Sequence, residues 1–322
     1  MMNKRVYGVL GIVSIMANWN ADFSGYPKTI STGETFGSDK ALKYPMKKMW
    51  ENEGKKVLYI KSFKISGEGK KGEISLVPKT LKERYQQIFG VKDLKECKNI
   101  EEVLRNLMSA VDVKNFGATF AEPGYNVSIT GAVQVGQGFN KYEGTTPEEQ
   151  QILSPFRDAK KEGKGDDKGE AEKEAKNSTL GTKIVSNEAH YFYPFVINPL
   201  AYKEFMELGM TEGYTEEDYQ NFRRTALVSA TAFATNAKVG CENEFALFVE
   251  TDIDTYLPNL SEYIRFEKNG NKNVISLEFI DMIKALEIKI RKIDVYYNPY
   301  TTELAGDTEG ITLYDIRTLK EV

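Results

Sequence analysis

An apolar run close to the start of the chain constrains the fold more than any other stretch. It is made of β-branched and other large apolar residues, namely Val6, Val9, Leu10, Ile12, Val13, Ile15 and Met16. A run of this kind, without regular polar alternation, is typical of a strand that is covered on both faces. We therefore expect a buried strand here, with the rest of the chain organised around it.

A long polar loop and a basic helix follow this strand. Residues 18–37 contain glycine and proline breakers, and residues 38–52 have the pattern of a helix with Ser38 as its N-cap. The helix carries four lysines, Lys40, Lys43, Lys47 and Lys48. The first three share one face because they are spaced i, i+3 and i+7. Such a face can hold phosphates, although a lysine stripe is also what the solvated side of an ordinary helix carries.

The charge balance and the rare residue types exclude several classes of protein. Lysine and arginine number 43 against 47 aspartate and glutamate, so the net charge of −4 argues against coating nucleic acid through a global positive field. The single histidine, His190, cannot supply a two-histidine metal site, and its aromatic surroundings favour a packed or hydrogen-bonded side chain. Cys97 and Cys241 suggest neither a zinc cluster nor a disulfide framework, which predicts a reduced, cytosolic protein. We expect no membrane segment and no signal peptide.

Hydrophobic periodicity predicts strands and helices along the rest of the chain. The expected strands cover residues 56–66, 127–138, 184–197, 245–250 and 293–297, and the expected helices cover residues 80–89, 100–108, 199–208, 215–235 and 277–292. The helices at 80–89 and 100–108 look like an insertion between strands of the central sheet. The order of the elements favours an α+β fold with a ferredoxin-like or RNA-recognition-type sheet.

Two stretches depart from this regular patterning. Residues 127–138 include several glycines, and glycine within a strand marks either a bulge or the close approach of another backbone or a ligand. Residues 157–177 are a charged, low-complexity run without a large apolar side chain, and apolar residues flank it on both sides. This second pattern predicts a long protruding hairpin whose tip cannot bury a core of its own.

Six segments, in one order along the chain, carry a resemblance to a known family. They are residues 9–16 with Gly37-Ser38-Asp39-Lys40, then residues 111–118, 130–136, 179–183, 193–199 and 236–244. In these segments the chain resembles the CRISPR-associated RAMP protein that forms the backbone of Cascade, which is Cas family seven in its type I-B branch. The six segments together span most of the chain.

The resemblance implies a role in antiviral defence. Many copies would form a helical filament along one guide RNA (crRNA) with other Cascade subunits, and the guide would pair with a target DNA strand. It also implies a single RAMP domain over residues 1–322. A palm would comprise residues 1–66, 111–149 and 187–322, a helical finger-like insertion residues 67–110, and a thumb hairpin residues 150–186 with its charged tip at 157–177. The thumb would reach over the RNA of a neighbouring copy and flip out a base at regular intervals, and its charged tip departs from the family's usually shorter thumb.

The RNA contacts implied for this chain fall on residues that suit a sugar–phosphate backbone, since sequence readout is left to base pairing. We expect them at Asn18, Asn20, Ser38, Lys40, Lys43, Lys47, Lys48, Gln134, Gln137, Lys141, Phe156, Arg157, Leu180, Lys183, Asn236 and Lys238. Phe156 and Leu180 are suited to wedging between bases, and packing between the two legs of the hairpin explains them equally well.

An endoribonuclease is the alternative function. Some RAMP relatives in type III complexes cut target RNA with an aspartate in the loop after the first strand, and Asp22 and Asp39 lie in that region. A lone carboxylate more often caps a helix or a turn, and the sequence has no acidic cluster with metal-ligand spacing. We therefore expect no catalysis, no metal and no cofactor. A generic single-stranded RNA-binding protein that acts alone is disfavoured by the negative net charge.

Overall fold

The computed structural model describes residues 1–67, 74–94, 97, 99–153, 180–285 and 290–322, and of residues 153, 180, 284 and 285 the backbone only. The strands in these ranges are β1 (Lys4–Ala17), β2 (Phe36–Gly37), β3 (Phe63–Ser66), β4 (Ser75–Pro78), β5 (Gly117–Glu122), β6 (Tyr125–Thr130), β7 (Val133–Val135), β8 (Gly138–Asn140), β9 (Pro147–Leu153), β10 (Leu180–Ile197), β11 (Cys241–Asp252), β12 (Ile264–Asn269), β13 (Lys272–Leu277), β14 (Ile290–Tyr297), β15 (Thr302–Ala305), β16 (Thr312–Asp315) and β17 (Lys320–Glu321). The helices are α1 (Asp39–Asn52), α2 (Leu81–Phe89), α3 (Ile100–Ser109), α4 (Val111–Phe116), α5 (Lys203–Glu207), α6 (Glu216–Ala232) and α7 (Phe279–Ala285), with 3-10 turns at Pro199–Tyr202 and Leu260–Tyr263. The architecture is therefore mixed α/β.

One large sheet with β1 at its centre organises the molecule. Its strand order is β17-β16-β14-β11-β1-β10-β8-β2, and β7 and β9 also pair with β10. β1 is antiparallel to both of its neighbours, with Leu10 opposite Tyr193 on β10 and Ala246 on β11. The central strand predicted from the apolar run is confirmed. Its burial was overestimated at the C-terminal end, where Ile15 and Met16 are about half exposed.

The two faces of β1 contribute to two separate hydrophobic cores. Leu10 and Ile12 belong to the core under the helices, whereas Tyr7 and Val9 belong to the core on the opposite face. This division follows from the two-residue period of a strand, which points successive side chains to opposite faces. Each core needs its own cover, so the sheet lies between two layers.

Helices α1 and α6 cover the first core. Buried residues of α1, among them Trp50, and of α6, among them Phe222, pack on this face of the sheet. The two helices are joined by a hydrogen bond from Trp50 Nε1 to Thr225 Oγ1 of 2.8 Å. The second core is covered by α7 and by a three-stranded sheet with the order β12-β13-β15.

The predicted starts of α1, α2 and α6 are confirmed at their N-caps. Ser38 accepts a hydrogen bond from the Ala41 amide, and Thr80 and Thr215 form capping boxes at the starts of α2 and α6. In a capping box the side chains of the N-cap and N3 residues each satisfy a backbone amide that the helix leaves unpaired. No helix in the described ranges is long and apolar enough to cross a membrane.

Two strand predictions are wrong in extent. Residues 56–66 were expected to form one strand of the central sheet, but only Phe63–Ser66 is a strand, and β3 pairs with β4 in a separate ribbon. The preceding segment is irregular because the Asp112 carboxylate accepts hydrogen bonds from the Leu58 and Tyr59 amides, both at 2.8 Å. Residues 127–138 were expected as one strand, and they are divided among β6, β7 and β8.

The predicted helix over residues 277–292 is also wrong at both ends. Leu277 ends β13, and β14 begins at Ile290, so the helix in the described ranges is α7, Phe279–Ala285. Its apolar side chains lie in the same core as those of β14, and the apolar pattern does not distinguish these neighbouring elements. The hairpin of β12 and β13 and the C-terminal strands β15, β16 and β17 were not predicted from the sequence.

Candidate nucleic-acid interface

An open cleft of about 750 Å³ lies between the basic face of α1 and the hairpin of β5 and β6. Four of the predicted RNA-binding residues line it, namely Lys40, Lys43, Lys47 and Gln134. Three come from one face of α1, as their spacing predicted, and Gln134 comes from β7. The structure therefore brings residues that lie nearly one hundred positions apart in the sequence into one cleft.

The floor of the cleft depends on a close approach of two backbone segments. A Cβ at Gly131 would overlap backbone atoms of Asn115, Phe116 and Gly117. Gly117 has φ +83, a conformation that favours glycine, and it ends α4. The glycines of this region thus allow close approach, and the approaching atoms belong to the protein itself.

The three lysines of the cleft differ in their exposure and in the contacts that their ammonium groups make within the protein. Lys40 is exposed. Lys43 pairs with Asp39 at 2.8 Å and lies 5.1 Å from the centroid of the Phe116 ring. Lys47 is as exposed as Lys43, and its Nζ lies 3.7 Å from Asp112 and donates to the Tyr59 carbonyl at 3.2 Å. Lys40 is therefore the cation of the three that is most available to a ligand.

The ammonium of Lys47 also has a perturbed protonation equilibrium. Burial disfavours the charged form and outweighs the attraction of Asp112, so the pKa of Lys47 is lowered. Its contacts to Asp112 and to the Tyr59 carbonyl join α1 to the irregular segment before β3. Lys47 accordingly supports the wall of the cleft.

A second group of predicted residues meets at the end of β1. Its members are Asn18, Asn20, Ser38, Lys183, Asn236 and Lys238. Asn20 Oδ1 accepts from the Ser38 amide at 2.8 Å, which positions the N-terminus of α1. Lys183 Nζ donates to Asn236 Oδ1 at 3.4 Å, so β10 and the loop after α6 meet here.

Lys238 is held by main-chain oxygens at the same place. Its Nζ donates to the Asn18 carbonyl at 2.7 Å and to the Trp19 carbonyl, and it lies 5.1 Å from the Trp19 ring centroid. Burial lowers the pKa of Lys238. The sequence prediction of an RNA contact did not include this structural role.

Lys238→Met is expected to lower the free energy of unfolding by about 2 kcal/mol, because two main-chain carbonyls lose a charged donor. Urea denaturation followed by circular dichroism measures this change. Asn236→Ala, on the exposed neighbour, is the matched control and should stay within about 0.5 kcal/mol of the wild type. Equal stability of Lys238→Met and wild type would show that the ammonium is free for other ligands.

Tyr44 joins the two groups into one continuous band. It lines the cleft of α1, and it also lines a smaller cavity of about 200 Å³ together with Asn20 and Lys238. Its side chain is 42% exposed. The band therefore runs from the hairpin of β5 and β6, across α1, to the end of β1.

The other six predicted residues lie away from these two groups or outside the described residues. Lys48 pairs with Glu51 at 2.7 Å and faces α6. Lys141 lines a separate cleft of about 1120 Å³ with Phe266 of β12, and burial lowers its pKa. Phe156 and Arg157 lie outside the described residues, as does the side chain of Leu180. Gln137 is exposed on the loop between β7 and β8.

Sequence reasoning missed Tyr44, Tyr59 and Thr119 as residues of the cleft. Tyr44 follows Lys40 by four positions, so it shares the basic face, and the helical spacing could have identified it. Tyr59 donates through its hydroxyl to the Thr119 carbonyl at 2.6 Å. This contact joins two distant segments, and no local pattern in the sequence predicts it.

The aspartates considered for catalysis have local structural roles. Asp22 Oδ1 accepts from the amides of Ser24 and Tyr26, which is the pattern of an Asx turn. Asp39 begins α1 and pairs with Lys43. In the part of the chain that the structure describes, no group of three or more histidine, cysteine, aspartate or glutamate side chains could hold a metal ion.

Comparisons with known proteins relate the chain to one family. The family model described as CRISPR-associated protein Cas7 matches residues 4–288. No match is found among curated protein sequences. A chain of a "CRISPR RNA-guided surveillance complex, pre-nicking" is similar in structure, with a TM-score of 0.56 at 16% identity over 97% of this chain and 96% of that chain, which shows a shared fold. A chain of a "CRISPR RNA-guided surveillance complex" has a TM-score of 0.47 at 14% identity over 98% and 93%.

Proposed function

This chain belongs to the CRISPR-associated Cas7 family, and on that premise we propose that it is an RNA-binding backbone subunit of a CRISPR surveillance complex. One observation carries the proposal. Lysines and amides from α1, β7, β10 and the loop after α6 converge on the continuous band that Tyr44 joins. Such groups hold the sugar–phosphate backbone and leave the bases free for pairing.

We further propose a ferredoxin-like palm at the centre of the fold. Its support is the topology of two split βαβ units that interlock. The chain passes from β1 through α1 to β7 and β8, with β10 between them, and from β10 through α6 to β11, with β1 between them. This strand order supports the proposed ferredoxin-like arrangement of the sheet.

The thumb is proposed to cover residues 150–186 and the fingers residues 67–110. The pairing of β9 with the first part of β10, from Leu153 opposite Leu180 to Pro147 opposite Ser186, supports a hairpin at this place. The finger range includes β4, α2 and α3. The predicted charged tip at 157–177 lies outside the described residues.

In the full proposal the complex is a cytosolic Cascade of type I-B. Copies of this chain polymerise along one crRNA beside other subunits, and the exposed bases pair with a target DNA strand. The chain itself is proposed to be non-catalytic, which agrees with the turn and helix-start roles of Asp22 and Asp39.

The double substitution Lys40→Gln, Lys43→Gln is expected to weaken binding of single-stranded RNA about tenfold at moderate salt, because two phosphate contacts are lost. Fluorescence anisotropy with a labelled RNA of about 30 nucleotides, repeated at several salt concentrations, measures it. The slope of log K against log[salt] should fall in magnitude by about 1.4, which is about 0.7 for each phosphate contact on a single strand.

Lys203→Gln with Lys320→Gln is the matched control, because it removes the same charge from exposed positions outside the band. An equal loss of affinity in this control would show that only net charge matters and would contradict the assigned interface. An unchanged salt slope in the Lys40→Gln, Lys43→Gln protein would contradict it too.

Co-expression with the proteins encoded beside it tests the assembly. The expected product is a large particle with several copies of this chain and one protected RNA, which sequencing identifies as a guide. Recovery of a monomer without RNA would contradict the backbone role. Metal-dependent cutting of RNA that is lost in Asp22→Ala or Asp39→Ala would favour the ribonuclease instead.

A further inference from the structure

Phe23 is the most exposed large apolar side chain in the described ranges, with a relative exposure of 113%. It lies in the loop after β1, which sequence reasoning treated as polar. An isolated exposed apolar residue is ordinary on a protein surface. Phe23 differs from such a residue in two ways: hydrogen bonds order its loop, and the loop is bonded to predicted RNA-binding residues.

The backbone that carries Phe23 is braced on both sides. Asp22 Oδ1 accepts from the Ser24 amide at 2.8 Å and the Tyr26 amide at 3.0 Å, and the Asp22 amide donates to the Tyr26 carbonyl at 2.8 Å. The Tyr26 hydroxyl donates to Glu149 of β9. The loop therefore holds a phenyl ring in solvent on an ordered backbone.

The same loop is tied to the predicted RNA-binding residues. Asn18 Nδ2 donates to the Gly25 carbonyl at 2.9 Å and to the Ile184 carbonyl at 3.2 Å. Lys183 is next to Ile184 in β10, and Lys238 Nζ donates to the Asn18 carbonyl. Phe23 is thus two residues before Gly25 in the sequence, and Asn18 links Gly25 to Ile184 of β10.

The side chains near the base of this loop suit a nucleotide. Lys183 provides a cationic group and Asn236 an amide group at this end of the band, whereas the Lys238 ammonium is bound by the Asn18 and Trp19 carbonyls. The carboxylates of Asp22 in the loop and of Glu149 in β9 are engaged in hydrogen bonds within the protein. An aromatic face beside phosphate-binding cations is the arrangement by which proteins hold single-stranded nucleic acid.

We propose that Phe23 stacks on an unpaired base of the bound RNA. The inference rests on the proposed RNA-binding function and adds to it a base contact that the backbone-binding residues do not supply. The ring gains a large apolar contact, and every base has a π face, so the contact needs no particular sequence. Because the loop is already ordered, little backbone entropy is lost on binding.

Binding measurements with two probes test this contact. Phe23→Ala is expected to weaken binding of an adenine-rich single-stranded RNA about tenfold, and Phe23→Tyr, which keeps the aromatic face, should retain wild-type affinity. An abasic ribose–phosphate oligomer of the same length should bind wild type and Phe23→Ala equally. Tyr256→Ala is the control, because Tyr256 is 70% exposed and lies on the loop after β11, outside the band.

A tryptophan reporter gives an independent readout. Trp19 and Trp50 are buried, so acrylamide should quench mainly the tryptophan introduced by Phe23→Trp. Adenine-rich RNA should protect it from acrylamide, and the abasic oligomer should not. The wild type, titrated in parallel, corrects for any response of Trp19.

The outcomes separate this proposal from the proposed function. Loss of RNA binding in Lys40→Gln, Lys43→Gln with no effect of Phe23→Ala would overturn base stacking and keep the interface. An equal loss for the base-containing and abasic oligomers in Phe23→Ala would overturn stacking as well. If Phe23→Ala weakened only the association of copies on long RNA and left binding of a short RNA unchanged, Phe23 would contact a neighbouring protein and the proposal would be wrong.

Discussion

His190→Gln is expected to lower the free energy of unfolding by about 3–5 kcal/mol, because it leaves a buried carboxylate without its cationic partner. His190 is fully buried, and its Nδ1 lies 2.7 Å from Glu244. Its Nε2 lies 3.0 Å from Glu188, and its ring stacks on Phe266 at a centroid distance of 3.9 Å. Glutamine can keep one hydrogen bond but not the charge. Urea denaturation at pH 6 measures the difference.

The pH dependence of this effect has a defined sign. Burial disfavours the imidazolium, but Glu244 and Glu188 outweigh it and raise the pKa of His190 above its ordinary value. A raised folded-state pKa gives stability that is complete below the unfolded value of about 6.5 and is lost as the pH rises through the folded value.

Glu188 titrates in the opposite direction. Burial raises the pKa of Glu188, but Lys268 and His190 together lower it by more than burial raises it. The pKa of Glu188 therefore lies below the ordinary 4.5. Its contribution is present above that ordinary value and is lost as the pH falls through the folded value. The difference between wild type and His190→Gln should therefore be greatest between about pH 5 and 6.5 and should decrease towards pH 9.

Lys268→Gln is the control for this network. Lys268 lies 2.6 Å from Glu188 but is 35% exposed, so its loss should cost less than about 1 kcal/mol. If His190→Gln were no more destabilising than Lys268→Gln, the histidine would be neutral and the ion pair with Glu244 would be ruled out.

Gly131→Ala is expected to destabilise the protein by about 3 kcal/mol or more, because its methyl group would overlap main-chain atoms of Asn115, Phe116 and Gly117. Backbone atoms cannot move aside as a flexible side chain can. Gly131 also lines the cleft of α1, so the shift should weaken RNA binding as well. Thermal and urea denaturation measure the first effect, and anisotropy with the RNA of about 30 nucleotides measures the second.

Gly67→Ala is the matched control, because no heavy atom of the described residues lies within 4 Å of a Cβ at that position. It should change stability by less than about 0.5 kcal/mol. Wild-type stability in Gly131→Ala would mean that the segments at Gly117 and Gly131 can separate, and the floor of the cleft would then not be fixed by their contact.

The elements predicted correctly have signals within a few residues. The strand at the apolar run of β1, the N-cap Ser38 and the helix starts near Thr80 and Thr215 are confirmed by the structure. The errors occur where contacts with residues distant in the sequence determine the local backbone structure. Asp112 keeps residues before β3 out of a strand, and the backbone contact at Gly131 interrupts the strand expected over residues 127–138.

The sequence by itself determined the central strand, the basic face of α1 and the family, because periodicity, capping and ordered motifs are local properties of a chain. The tertiary structure decided which of the predicted residues lie together and which of their charged groups are already bound by other groups of the protein. Lys238 and Asn18 are 220 positions apart and share a hydrogen bond, and Lys47 is turned to Asp112. No local pattern identifies such partners, since folding chooses them by burying both segments against one core.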